Sequence, residues 1–270
     1  MTWWCSARGT AWEWTWQPYP GVWLFIGLLA AAYLVTARRL GPRPVDGRRR
    51  AAFFGGLLVL WLALDWPIGA LGAGYLASVH MAQFLMIALL APPLMLLGLP
   101  RSAYDRLAER RRLLAALRFL THPLVALAAF AVVVYWTHLP GVVDSLMVSQ
   151  AGSFLLDLAW LLGGFVFWWP VVAPVPERPG FPHALKMGYL FLATVINTLP
   201  YAFLTFGDLP FYALYELAPP VSGITARQDQ QIAGLLMKMG GGVILWGAIT
   251  IVFFRWFRRE EAGNLVGGAD

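Results

Sequence analysis

Cysteine is almost missing: Cys5 stands alone, so the chain forms no internal disulfide and builds no paired-thiol metal or redox site. Charge is scarce too. Only 13% of the 270 residues are charged while 59% are hydrophobic, too few charges to clothe a soluble domain of this length. Acidic residues are the scarcer sign, 14 against 20 Lys and Arg, and the net charge is +6. The arginines cluster between apolar runs instead of covering a domain, which excludes a nucleic-acid partner. The four histidines have no serine or cysteine partner at a recognisable spacing, and no glycine loop follows a strand. Nucleophilic, hydrolytic and phosphate-binding catalysis are thereby excluded, and the chain reads as a non-enzyme. No internal repeat or low-complexity tract stands out, so nothing points to an inverted-repeat transporter.

What is present is length in apolar runs. A helix needs roughly 20 apolar residues to cross hydrocarbon, and about seven stretches qualify: 19–37, 51–68, 79–99, 120–138, 150–172, 185–206 and 230–254. They are too long and too continuous for barrel strands. The expected fold is an all-α polytopic bundle. It divides into a Trp-rich segment 1–18, a transmembrane domain 19–254 and a tail 255–270. Arg38, Arg39, Arg43, Arg48, Arg49 and Arg50 fill the first loop, and Arg101, Arg106, Arg110, Arg111, Arg112 and Arg118 the third. Because cytoplasmic loops retain positive charge, these loops are read as inside, with Arg178, Lys186, Arg255, Arg258 and Arg259. That puts the N-terminus outside, the C-terminus in the cytoplasm and the chain in a bacterial plasma membrane, with lipid as a partner. The first apolar run precedes the Arg38 cluster and is read as a span, not a signal peptide. Trp12, Trp14, Trp16 and Tyr19 are expected at the outer interface, and the basic stretch 102–119 on the inner surface.

Ionisable groups inside lipid are costly and mark functional candidates. His80 and Gln83 share one helix face in the third span. Asp65 closes the second, His138 closes the fourth, and Asp229 with Gln230 opens the seventh; all fall toward the outer side. Two imidazoles suit copper, zinc, iron or a haem, and Met81, Met147 and Met237 offer sulfur to Cu(I). Capping of helix ends by His80 and His138 is the plainer alternative. His122 and His183 are read as helix-start residues beside prolines. Pro92 and Pro93 are expected to kink the third span. Asp157 and Lys238 reach similar depth, so they are expected to form a structural ion pair. With Asn197 they also allow an ion- or proton-transporter reading.

The run His80-Met-Ala-Gln83 through Ala91-Pro92-Pro93-Leu-Met-Leu-Leu-Gly98-Leu-Pro100 resembles the signature of the CtaG family of cytochrome c oxidase assembly factors. Trp136-Thr-His138-Leu-Pro140, Gly163-Gly-Phe-Val-Phe-Trp168-Trp169-Pro170 and Asp229-Gln230-Gln-Ile-Ala-Gly234 resemble further family motifs in the same order. Together they span about 75–245. The resemblance implies a seven-helix membrane protein that matures a haem–copper oxidase, with oxidase subunits as partners and copper delivered or inserted at the outer side. His80, Gln83 and His138 would hold copper transiently, Met81 adding a weak donor, with Asp229, Gln230 and Asp65 behind them. Departures fall at Phe84 and Asp157, where the family has histidines, and at Lys238, where it has tryptophan. The last two substitutions suggest an electrostatic lock in place of a metal-related position. A transporter using Asp157 and Lys238, or a redox protein with haem between His80 and His138, are the alternative functions.

Overall fold

The computed structural model describes residues 2–39, 45–100, 102–104, 109, 111–172, 181–196, 198–221 and 223–267. Arg43, Arg101, Arg106, Arg110, Arg178 and Asn197 lie outside the described residues. All regular structure among the described residues is helical.

Helix α1 (Pro20–Arg39) is apolar until its last turn and begins with Pro20, where a missing N–H costs nothing. Helix α2 (Gly47–Leu64) stops at Asp65, and after Trp66-Pro67 the chain turns 47° into α3 (Ile68–Gly74). The third predicted span is α4 (Ala77–Phe84), a π-helical turn at Leu85–Leu90, and α5 (Ala91–Gly98), which begins with Pro92 and Pro93 in its first turn. Helix α6 (Arg111–Leu120) meets α7 (Pro123–Thr137) at 69°. Short α8 (Pro140–Leu146) leads into α9 (Gln150–Val172). Helices α10 (His183–Ile196) and α11 (Thr198–Phe206) follow, then the short α12 (Ala213–Glu216). Helix α13 (Ala226–Leu235), a second π-helical turn at Leu236–Gly240 and α14 (Gly241–Gly267) end the bundle. Among the described residues five helices are long and apolar enough to cross a bilayer, or up to seven if each bent pair is one span, in keeping with the expected count. His122 precedes α7 and His183 opens α10, as expected.

The Ala77–Gly98 segment is the most buried of these spans and forms the axis of the bundle between α2 and α9. Two glycines allow this. A Cβ at Gly56 would lie 2.8 Å from the Ala91 carbonyl, and one at Gly164 would lie 2.4 Å from the Ala88 carbonyl. Ala88 O is the acceptor that Pro92, lacking an N–H, leaves free in a regular helix.

One end of the bundle is basic: Arg49 donates to Leu99 O at 2.8 Å, and Lys186 to Val171 O at 2.8 Å near Arg255 and Arg259. The opposite end holds the N-terminal segment, which is partly exposed and partly a plug. Of the residues expected at the outer interface, Trp14 and Trp16 are exposed, whereas Tyr19 is buried and Trp12 half-buried against Tyr75. The reason is hydrogen bonding. Trp3 N donates to Gln150 Oε1 (2.6 Å), Ala7 N to Met147 O (2.9 Å) and Cys5 Sγ to Leu64 O (3.3 Å), fastening the segment between α2 and α9.

Candidate functional site

Helix α4 begins at Ala77 without a capping side chain of its own. Its cap comes from α13: Asp229 Oδ2 accepts from Ala77 N at 2.6 Å, and the carboxylate also takes the Ser78 N–H and hydroxyl. A carboxylate there satisfies donors the helix cannot satisfy itself and meets the positive end of its dipole. Asp229 thus positions the helix that carries His80 and Gln83.

His80 is buried with neither ring nitrogen partnered. His138, the residue that closes α7, faces it with ring centroids 6.3 Å apart. His138 Nδ1 lies 2.6 Å from Val134 O. A carbonyl only accepts, so Nδ1 carries the hydrogen and donates, leaving the Nε2 lone pair free. That nitrogen is buried and unpartnered. Gln83 Nε2 donates to Ala63 O at 2.9 Å while its buried Oε1 has no partner. A Cβ at Gly72 would fall 1.7 Å from Oε1, so a larger residue there would displace the Gln83 amide.

Aromatic rings enclose the pair. Trp160 stands 4.8 Å from His80 and stacks on His138 at 6.1 Å. Its indole N–H donates to Thr137 Oγ1 at 2.9 Å, which locks it. Phe84 lies 5.0 Å from His138, so the position where the resemblance implies a second histidine does face the site. Tyr215 lies 5.9 Å from His80. Nothing in the sequence singles out Trp160, an aromatic in a long apolar run, or Tyr215, one of several aromatics in the segment that joins two runs.

The segment 207–216 closes the far end over these rings. Tyr212 donates to His138 O at 3.0 Å and Tyr215 to Gly72 O at 2.6 Å. Burial pushes both phenols above their ordinary pKa, so they stay protonated donors. Gln230 accepts from Phe211 N at 2.6 Å and donates toward Leu204 O and Leu209 O, and Asp144 accepts from Ala213 N and Leu214 N. Asp229 and its neighbour Gln230 therefore act on different elements, one holding the helix of His80 and the other the loop that reaches His138.

Other predicted residues lie elsewhere. Asp65 accepts from the Trp23 indole at 2.9 Å and from Trp66 N, at the turn after α2. Met81 is buried beside His80. The predicted pair of Asp157 and Lys238 does not form. Asp157 accepts from the Trp4 indole at 2.8 Å, whereas Lys238 donates to Thr198 Oγ1 at 2.9 Å and lies 5.0 Å above the Tyr201 ring. The two share a depth but point to different neighbours, since α9 faces the N-terminal segment there and the second π turn faces α11. With them goes the electrostatic lock.

Among the described residues, no group of three or more His, Cys, Asp or Glu is placed to hold a metal ion. The donors that converge are two imidazoles, with an amide oxygen on the same helix face. Space for one ion between rings 6.3 Å apart is consistent with metal–imidazole bonds of about 2 Å, and a low-coordinate nitrogen site suits Cu(I) better than ions that require more ligands. Phe84, Trp160 and Tyr215 occupy the surroundings that a macrocycle would need.

An uncharacterized protein of Mycobacterium bovis is 26% identical over 220 residues, 73% of this chain and 31% of its own length. One of Mycobacterium leprae is 24% identical over 265 residues, 88% of this chain and 38% of its own. The chain thus spans about a third of the length of these curated relatives. No solved structure matches it. The family described as cytochrome c oxidase caa3 assembly factor (Caa3_CtaG) matches residues 8–259, nearly the whole chain, and the protein belongs to that family.

Proposed function

We propose that this membrane protein assists the maturation of a haem–copper cytochrome c oxidase in a bacterial plasma membrane by holding Cu(I) as cargo between His80 and His138 at the outer side. The observation that supports this reading is the buried imidazole pair, 6.3 Å apart, with three ring nitrogens lacking partners. Neutral His138, with Nδ1 bonded to Val134 O, presents an unprotonated nitrogen without first losing a proton. Gln83 Oε1, on the same helix face as His80, is the auxiliary donor, with the Met81 thioether a weaker one. The role is binding and transfer, not catalysis, and the oxidase subunit that receives copper is the partner. The basic end of the bundle faces the cytoplasm under this reading, in line with positive-charge retention.

The test is Cu(I) stoichiometry and affinity of the purified protein under reducing conditions. One ion per chain is expected, with affinity falling at least about tenfold (about 1.4 kcal/mol) in His80→Ala and in His138→Ala. Equal binding by wild type and both variants would refute the site. The unpaired arrangement of Asp157 and Lys238 gives the transporter reading no comparable support, and the enclosed rings favour a single ion over a haem.

A further inference from the structure

Lys238 is an intramembrane cation that the site does not use. At 1.5 Å per residue, about 12 Å of helix separates it from Gln230, where the span begins, and about 25 Å from Arg255, beyond the roughly 6 Å reach of its side chain. Its ammonium is therefore held at hydrocarbon depth, out of reach of lipid phosphates. Its contacts are a hydroxyl, Thr198, and a ring, Tyr201. Neither neutralises it, and no carboxylate among the described residues pairs with it.

Beside it runs a lipid-facing stripe on one side of α13–α14: Leu235 is 51% exposed, Met239 65% and Val243 71%. One turn beyond Lys238, a Cβ at Gly242 would meet nothing within 4 Å, so another backbone can approach the lysine closely. Among the described residues, the carboxylates within the spans or bracing their ends on that side are already engaged. Asp157 is held by Trp4, Asp229 by the start of α4, Asp65 by Trp23 and Asp144 by the N–H groups of α12. Glu216 and Asp208 lie in the segment between spans, so among the described residues a second copy offers no free acid at the depth of Lys238.

We propose that this face docks a transmembrane helix of a different protein that carries an aspartate or glutamate at the depth of Lys238. Each charge alone is costly in hydrocarbon, and each offsets the penalty of the other when they meet. Charge complementarity supplies the specificity, and the stripe with the open Gly242 supplies the packing. The surface is independent of copper binding and stands or falls separately from it.

The test places a photo-reactive amino acid at Met239 or Val243, with Leu155 on α9 as control, in native membranes, and compares Lys238→Met, Lys238→Gln and Lys238→Arg. Yields are normalised to monodisperse protein, so a variant that misfolds is replaced by its neighbour in the series. Cross-links from 239 and 243, not 155, are expected to a single membrane protein within a span containing Asp or Glu. The yield should fall about tenfold or more in the two neutral variants, persist in Lys238→Arg, and return when Lys238→Glu is combined with a lysine at the partner's acid. Cross-links only to lipid or a second copy, to spans without an acid, or with yields unchanged in both neutral variants, would overturn it.

Discussion

Asp229 caps a helix from which it is separated by about 150 residues of chain, and the partner helix has no cap of its own. Asp229→Ala should therefore lower stability by about 2 kcal/mol, read as a melting shift in detergent, while Asp229→Asn, which keeps an acceptor, should cost less. The same variant should weaken Cu(I) binding through displaced His80. The indole of Trp4 and the carboxylate of Asp157 form a second such contact. A double-mutant cycle of Trp4→Phe with Asp157→Leu, which leaves the indole no acceptor, should show coupling of about 1 kcal/mol or more, and a cycle of Asp157→Asn with Lys238→Met should be additive. Additivity in the first cycle or coupling in the second would contradict the geometry. Burial, and then the charges of Asp157 and Asp65, push the Cys5 thiol well above its ordinary range. An ordinary thiol in the unfolded chain ionises first, so this contribution to stability is complete below about pH 8.5 and declines above it. Native Cys5 should accordingly resist maleimide at neutral pH until the protein is unfolded. Polar side chains within or at the ends of the apolar runs were legible as candidates because lipid makes them conspicuous. Their partners were not: depth follows from position along a helix, but the direction a side chain takes around the helix is settled by packing, which is how Asp157 and Lys238 share a level without meeting.

At the scale of elements, hydrophobic length revealed the spans well. Their breaks were less visible: Pro92 and Pro93 signalled an interruption in the third span, yet the widened turn precedes them at Leu85–Leu90, and no proline marks the matching turn at Leu236–Gly240. The two turns lie against each other, with Leu85 filling the space a side chain at Gly240 would need. The central helix is also gripped by glycines. Gly164→Ala would place a methyl against the Ala88 carbonyl and the Pro92 ring, backbone and ring atoms that cannot swing aside. A loss of about 1–3 kcal/mol is expected from thermal unfolding. Gly242→Ala, facing open space, should change stability far less, and a reversed order would refute this account of the axis.

Across the whole molecule, the concentration of arginine at one end gives an orientation that can be read directly. In a Cys5→Ser background, Thr10→Cys should react with a membrane-impermeant maleimide in intact cells, and Arg48→Cys only after the membrane is opened. The opposite pattern would invert the topology and move the histidine pair to the cytoplasmic side. The overall bundle was legible because lipid imposes a simple rule on sequence, whereas the plug of residues 2–19 was not, since its hold depends on single hydrogen bonds to α2 and α9. The loop at 207–216 has a further consequence. One tyrosine ties it to the carbonyl of His138 and the other to the turn of helix beneath Gln83 and His80, so it works as a latch with two bolts on one bar. If the proposed copper role holds, a recipient protein that lifted this bar would slacken both imidazoles together, and release would be a single event without a half-released state.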